Sequence, residues 1–152
     1  MKILGFRSDP NSPRFALIEA NGGAFTLLNA DTENKLMFPA HCDDEAQRLM
    51  WMHQEIERIF HNHPDISRVV IKTNEYTGSE SKAKRFSSYV EGVVMACSAK
   101  KGVATFIKTY SSLSTKSADV KVDASARVAQ TSKGWDNKMA DAVVAAWWGG
   151  KQ

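Results

Sequence analysis

Residues 66–73 hold Val69-Val70-Ile71, an unbroken β-branched run with polar residues on both sides. Side chains branched at Cβ are stiff and pack well on a pleated surface, and a run without polar alternation has no side suited to water. The segment is therefore predicted to be a central strand covered on both faces, and the flanking sequence supplies helices to cover it. Asp43 and Asp44 offer an N-cap for a helix to about Phe60, with Leu49, Met52, Ile56, Ile59 and Phe60 at helical spacing and Pro64 closing it. A second helix is predicted from about Ser79 to Ala99. Ala83, Phe86, Val90, Val93, Val94 and Cys97 form its apolar stripe, and Lys100-Lys101-Gly102 give it a basic, glycine-terminated end.

The remaining segments complete an α/β pattern. Residues 2–7 and 14–20 read as strands joined by Ser8-Asp9-Pro10-Asn11-Ser12-Pro13, whose two prolines cannot continue a sheet. Asn21-Gly22-Gly23 is a hairpin signal leading into a third strand over 24–29, so the chain opens as an antiparallel meander. Val103 to Lys108 is the next strand. Residues 111–134 are rich in Ser, Thr, Lys and Ala and are predicted to be a loop or a poorly packed helix. A last helix runs from Asp136 to Trp148, with Met139, Val143 and Trp147 at four-residue spacing and Gly149-Gly150 stopping it. The element order β-β-β-α-β-α-β-α implies a mixed five-stranded sheet with helices on both faces, the fourth and fifth strands parallel to the first. A length of 152 residues suits one domain, 1–152.

Hydrophobic residues at 43% and charged residues at 24% exclude a disordered chain and a coiled coil. No stretch reaches the roughly eighteen apolar residues of a membrane span, and Met1 to Arg7 is too short for a signal peptide, so the expectation is a cytoplasmic protein without membrane contact. Cys42 and Cys97 are the only cysteines and form no disulfide framework. The net charge of +3 hides an asymmetry: residues 1–65 carry 6 Lys and Arg against 10 Asp and Glu, about −4, while residues 66–152 carry 14 against 7, about +7. A basic half points to a polyanionic partner, DNA or RNA.

This order of elements resembles the ribonuclease H-like superfamily, and short motifs make it similar to the RuvC-like branch, the Holliday-junction resolvases. Ile3-Leu4-Gly5-Phe6 resembles their first strand, Val69-Val70-Ile71 the fourth, and Ala140-Asp141-Ala142-Val143-Val144-Ala145-Ala146 the final helix. Nearly the whole chain also resembles a small uncharacterised bacterial family placed in that superfamily, most literally at Thr105-Phe106-Ile107-Lys108. The resemblance implies phosphodiester hydrolysis by two divalent ions, Mg²⁺ or Mn²⁺, held by four carboxylates. One ends the first strand, one ends the fourth, and two lie three residues apart on the final helix. Hard divalent ions prefer such oxygens, and a pair about 4 Å apart stabilises both the attacking and leaving oxygens.

Carried over position by position, the pattern meets Arg7, Lys72, Lys138 and Asp141: three cations and one carboxylate. Ammonium and guanidinium groups repel a metal ion but suit phosphate oxygens. The preferred expectation is therefore nucleic-acid binding with a weak or absent nuclease site, using Arg7, Lys72 and Lys138 together with Lys82, Lys84 and Arg85. Cations at the start of the second helix oppose its dipole, so helix stability does not account for that last cluster. The alternative is a metal-dependent nuclease with displaced carboxylates, Asp9, Glu75 and Asp141, as catalytic and metal-binding groups. Asp136 is badly placed for it, since five residues turn a helix by about 500°, roughly 140° off the face of Asp141. A third reading is a protein-interaction module that has lost nucleic-acid contact. Residues His53, His61 and His63, with His41-Cys42-Asp43 upstream, lack zinc-ligand spacing. Leu49-Met50-Trp51-Met52 is apolar around more than half a turn, which leaves Met50 or Trp51 facing away from the sheet and points to a homodimer through this helix, as in the resolvases resembled.

Overall fold

Val69, Val70 and Ile71 lie fully buried in the middle of a five-stranded sheet. The structure is a computed structural model and describes residues 1–152. Its elements are β1 (Lys2–Arg7), β2 (Arg14–Asn21), β3 (Ala24–Leu27), α1 (Glu45–Asn62), β4 (Ile66–Lys72), α2 (Lys82–Lys100), β5 (Ala104–Lys108), α3 (Val120–Arg127) and α4 (Asn137–Gly150), with a 3-10 turn at Ser111–Leu113. The strand order is β3-β2-β1-β4-β5. β1 pairs antiparallel with β2 and parallel with β4, β2 antiparallel with β3, and β4 parallel with β5, giving the mixed sheet expected from the element order.

Alternation along the strands divides the core into two layers. Leu4, Phe6, Val69 and Ile71 face α1 and α2, where Met52, Ile56, Phe60, Phe86, Val90 and Val94 close one layer. Ile3 and Val70 face α4 on the other side, joined there by Ala16 and Ile18 of β2. Side-chain caps begin three of the helices: Asp44 accepts from the Gln47 amide, Ser81 from Lys84, and Asp136 from Met139. The hairpin turn at Gly22 and Gly23 has φ values of 57° and 89°, the left-handed region that glycine enters without strain.

Two sequence expectations change. Residues 111–134 contain α3, which is seated on the α4 layer by the fully buried Val120 and Ala124 while Val122 stays exposed to solvent. Gly149 and Gly150 do not stop the last helix but belong to it, with Lys151 as its cap. A Cβ at Gly149 would lie 2.8 Å from Val70 Cγ2 and 2.9 Å from Ile3 Cγ2, so glycine serves close approach rather than termination. The same holds across the helix at Gly5, where a Cβ would overlap the Ala142 carbonyl oxygen and meet Ala146 Cβ at 2.8 Å. Small residues on both partners thus press α4 onto β1, and this contact sets the position of Asp141.

Candidate functional site

Arg7 and Lys72 end neighbouring parallel strands and are register partners, so their side chains leave the same face of the sheet, toward α4. Asp141 descends from α4 to meet them. The Arg7 guanidinium donates through Nε to Asp141 Oδ2 at 2.9 Å, through one terminal nitrogen to Asn74 Oδ1 at 2.9 Å, and through the other to the Lys72 carbonyl oxygen at 3.4 Å. The Tyr110 hydroxyl donates to the second Asp141 oxygen at 2.8 Å. Lys72 is 1% exposed, and its ammonium donates to the Thr73 carbonyl oxygen at 2.5 Å, pairs with Glu75 Oε1 at 3.0 Å and sits 3.8 Å over the Tyr110 ring. The Tyr110 amide completes the ring of contacts by donating to the same Glu75 oxygen at 2.8 Å.

Burial dominates the electrostatics here and the pairs answer it. It pushes the Asp141 carboxyl up, against the pull of Arg7, the Tyr110 hydroxyl and Lys72. Burial, with the Asp141 charge adding to it, pushes the Tyr110 phenol up to about 12, so Tyr110 stays a hydrogen-bond donor at any physiological pH. The Lys72 ammonium is pulled down by burial and by Arg7, with Glu75 and Asp141 opposing. Burial raises Glu75, but the Tyr110 amide and Lys72 outweigh it and hold the carboxyl below its usual range. Two buried cations and two carboxylates thus balance one another.

Asp9 and Lys138 form a separate ion pair. Asp9 Oδ2 also accepts from the Asn11 and Ser12 amides at 3.0 and 2.8 Å, which makes it the organiser of the turn after β1. Asp136 caps α4 and pairs with Arg14 at 2.8 Å, as its poor placement for the site suggested. The donor atoms of Asp9, Glu75 and Asp141 are not gathered into one group; the one group of three such donors in the molecule lies elsewhere, between α1 and α2. The sequence does not point to the contacts that Tyr110, Asn74 and Glu91 make here. Glu91, buried on α2, accepts from Ser8 at 2.7 Å and Thr73 at 3.0 Å and so ties together the residues that follow Arg7 and Lys72 on the opposite face. Nothing local marks these residues, because each reaches the site across a long stretch of chain.

Beside the ion pairs opens a cleft of about 330 Å³ lined by Asn74, Glu75, Tyr76, Thr77, Lys84 and Arg85 among others. Tyr76 is 85% exposed there. Lys84 is steadied by Thr77 Oγ1 at 3.0 Å and Ser79 Oγ at 2.7 Å, neutral partners that leave its charge uncompensated. Arg85 meets Glu80 at 3.5 Å in a pair open to solvent, and Lys82 is exposed at the helix start. Two cations, Lys84 and Arg85, therefore line the cleft together with Glu75 and Glu80, and Lys82 stands exposed at the start of the same helix. No helix is long and apolar enough to cross a membrane.

The sequence matches no family model, and no curated protein matches it. Solved structures do. Thermus thermophilus RuvC in complex with a Holliday junction substrate superimposes with a TM-score of 0.79 at 12% identity, covering 97% of this chain and 92% of that one. The chain has the RuvC-type ribonuclease H-like fold. A second Thermus thermophilus RuvC structure gives the same TM-score at 11% identity, and the yeast mitochondrial Holliday junction resolvase Ydc2 gives 0.64 at 9% identity, covering 97% of this chain and 79% of that one.

The donor set at the strand ends does not fit the pair of divalent ions implied by the resemblance. Of the four positions only Asp141 is anionic, and both of its oxygens already carry donors, one of them a guanidinium. A divalent ion bound to Asp141 would have Arg7 and Lys72 as close neighbours, and like charges at low effective dielectric repel strongly.

Proposed function

We propose that this chain binds nucleic acid without hydrolysing it, the metal centre of its fold having become a set of internal ion pairs. The observation that carries this reading is the buried Arg7–Asp141 pair, with Tyr110 on the remaining carboxylate oxygen. Arg7 and Lys72 act as fixed counter-ions that keep the strand ends and α4 together. Phosphate contact falls to Lys84 and Arg85 on the wall of the cleft and to the exposed Lys82 at the start of α2, with the partly exposed Lys138 as a fourth cation. Branched DNA is the first ligand to examine, because the Thermus RuvC structure contains a Holliday junction. The reading includes a homodimer through the side of α1 on which Met50 is 61% exposed.

The test is equilibrium binding of a labelled four-way junction, a duplex and a single strand, followed across salt concentration. Four phosphate contacts give a slope of about −3.6 in log K against log salt, so raising salt from about 50 to 200 mM weakens binding roughly 150-fold. Replacing Lys84 or Arg85 with alanine reduces the slope by about 1. Absence of binding at low salt, or a flat slope, overturns the binding role. Cleavage that requires Mg²⁺ or Mn²⁺ and disappears in Asp141→Asn overturns the loss of hydrolysis and restores the displaced-carboxylate nuclease.

A further inference from the structure

Cys97 lies in the last turns of α2, which leads into the start of β5, whereas Arg7 and Lys72 end strands parallel to β5. The Cys97 neighbourhood is therefore at the opposite end of the sheet from the site described above. There an imidazole nitrogen of His53, a carboxylate oxygen of Glu57 and the Cys97 sulfur all lie within 4.8 Å of one another. His53 and Glu57 are four residues apart and share a face of α1. Cys97 comes to them from α2, its thiol pointing at the His53 carbonyl oxygen at 4.0 Å.

Glu57 shows that the cluster is incomplete as a set of side-chain partners. Its Oε1 atom is shielded from water and accepts no hydrogen bond. The nearest cations, Lys100 at 3.8 Å from Oε1 and Lys101 at 3.9 Å from Oε2, stand beyond hydrogen-bond distance on flexible side chains. A carboxylate oxygen out of water and without a donor is costly, and native structures seldom leave one so.

We propose that His53, Glu57 and Cys97 bind one zinc ion that ties α1 to α2, with water in the fourth position. A mixed set of nitrogen, oxygen and sulfur donors suits a borderline-soft ion and does not suit Mg²⁺ or Ca²⁺. Tetrahedral zinc with bonds of about 2.0–2.3 Å holds its donors roughly 3.3–3.8 Å apart, so closure takes movements of about 1 Å. Side-chain torsions of the half-buried His53 and Glu57 supply them. As the zinc–sulfur bond forms, the Cys97 thiol gives its proton to solvent. Binding therefore releases a proton and tightens as pH rises, with His53, Glu57, Lys100 and Lys101 as the charged and titratable groups around the sulfur.

The test uses the full chain, reduced and stripped of metal, titrated with Co²⁺ and then Zn²⁺. The expected result is thiolate-to-cobalt charge-transfer absorption that saturates at one equivalent and is displaced by Zn²⁺. Cys97→Ser abolishes the absorption, and His53→Gln weakens Zn²⁺ binding by more than about 100-fold, beyond what loss of an outer-shell partner costs. His53 is only half-buried, so that variant carries the test if Cys97→Ser fails to fold. No charge-transfer absorption at one equivalent overturns the proposal. So does a Zn²⁺ affinity unchanged by His53→Gln, which places the ion elsewhere, for example on His61 and His63.

Discussion

Replacing Arg7 with methionine removes the guanidinium from Asp141 while keeping an unbranched chain of similar reach. The side chains of Arg7 and Asp141 are 11% and 2% exposed, so solvent screens little of the loss. One charge-assisted hydrogen bond is worth about 1.5–3 kcal/mol, and breaking a buried pair from one side, which strands the other charge, costs about 3–5 kcal/mol in all. Tyr110 and Lys72 still face Asp141, which places the expected value toward the lower end. For a chain of this size each kcal/mol moves the melting temperature by about 2–4 °C, so the midpoint falls by roughly 6–20 °C. Burial already lifts the Asp141 carboxyl above its ordinary range, and taking Arg7 away lifts it further. A carboxyl raised in the folded state stabilises the fold while protonated, and that contribution is lost as pH rises through its folded value. Arg7→Met is therefore closest to the parent in acid and furthest from it near pH 8. Urea unfolding across this range measures the difference, and adding Asp141→Leu removes its pH dependence, since no stranded carboxyl is left to titrate, although the Tyr110 hydroxyl then loses its acceptor. A cost below about 1 kcal/mol, a cost independent of pH, or a double variant that keeps the pH dependence of the single one would refute a buried ion pair at these positions.

Two further outcomes test the surroundings of the site. Burial raises the Asp9 carboxyl, but Lys138 and the Ser12 and Asn11 amides outweigh it and hold the group below its ordinary range. Its stabilising contribution is thus full at neutral pH and lost as pH falls through that lowered value; NMR titration should give a midpoint below that of a free aspartate, moving up in Lys138→Met, and a midpoint at or above the free value would exclude the pairing. Gly5→Ala forces a methyl into the Ala142 carbonyl and should cost about 3 kcal/mol or more, whereas Gly92→Ala, with nothing within 4 Å in mid-helix, should be neutral or stabilise by up to about 1 kcal/mol. Equal unfolding midpoints for these two variants would rule out the tight α4–β1 contact.

Most of the architecture is legible because it is written in local periodicity. The β-branched run at 69–71, the Asn21-Gly22 turn and the capping residues Asp44 and Ser81 each decide an element within a few residues. The replacement of three carboxylate positions by Arg7, Lys72 and Lys138 is equally visible, since strand ends and one helix face can be aligned by position alone. What those cations touch is not. Tyr110 reaches Asp141 across 31 residues, Asn74 meets Arg7 across 67, and Ser8 finds Glu91 across 83. Such contacts follow from sheet order and helix placement, which no single stretch encodes. Cys97 and His53 illustrate the same limit: 44 residues separate them, and neither carries ligand spacing until α1 and α2 pack side by side. Gly149 misleads for a different reason, because a glycine late in a helix reads as a terminator unless the clearance beneath it is known.

The close seating of α4 on β1 also bears on the order in which the protein can be made. All five strands precede this helix, and 134 residues separate Arg7 from Asp141. At about 5–20 residues per second, a ribosome takes roughly 7–27 s to cover that distance. The layer under α1 and α2 can close once Lys100 has emerged, but Ile3, Ala16, Ile18 and Val70 stay uncovered until residues 137–150 follow. Between the emergence of Lys100 and that of residues 137–150, a nascent chain of this protein is therefore a sheet sealed on one side and bare on the other.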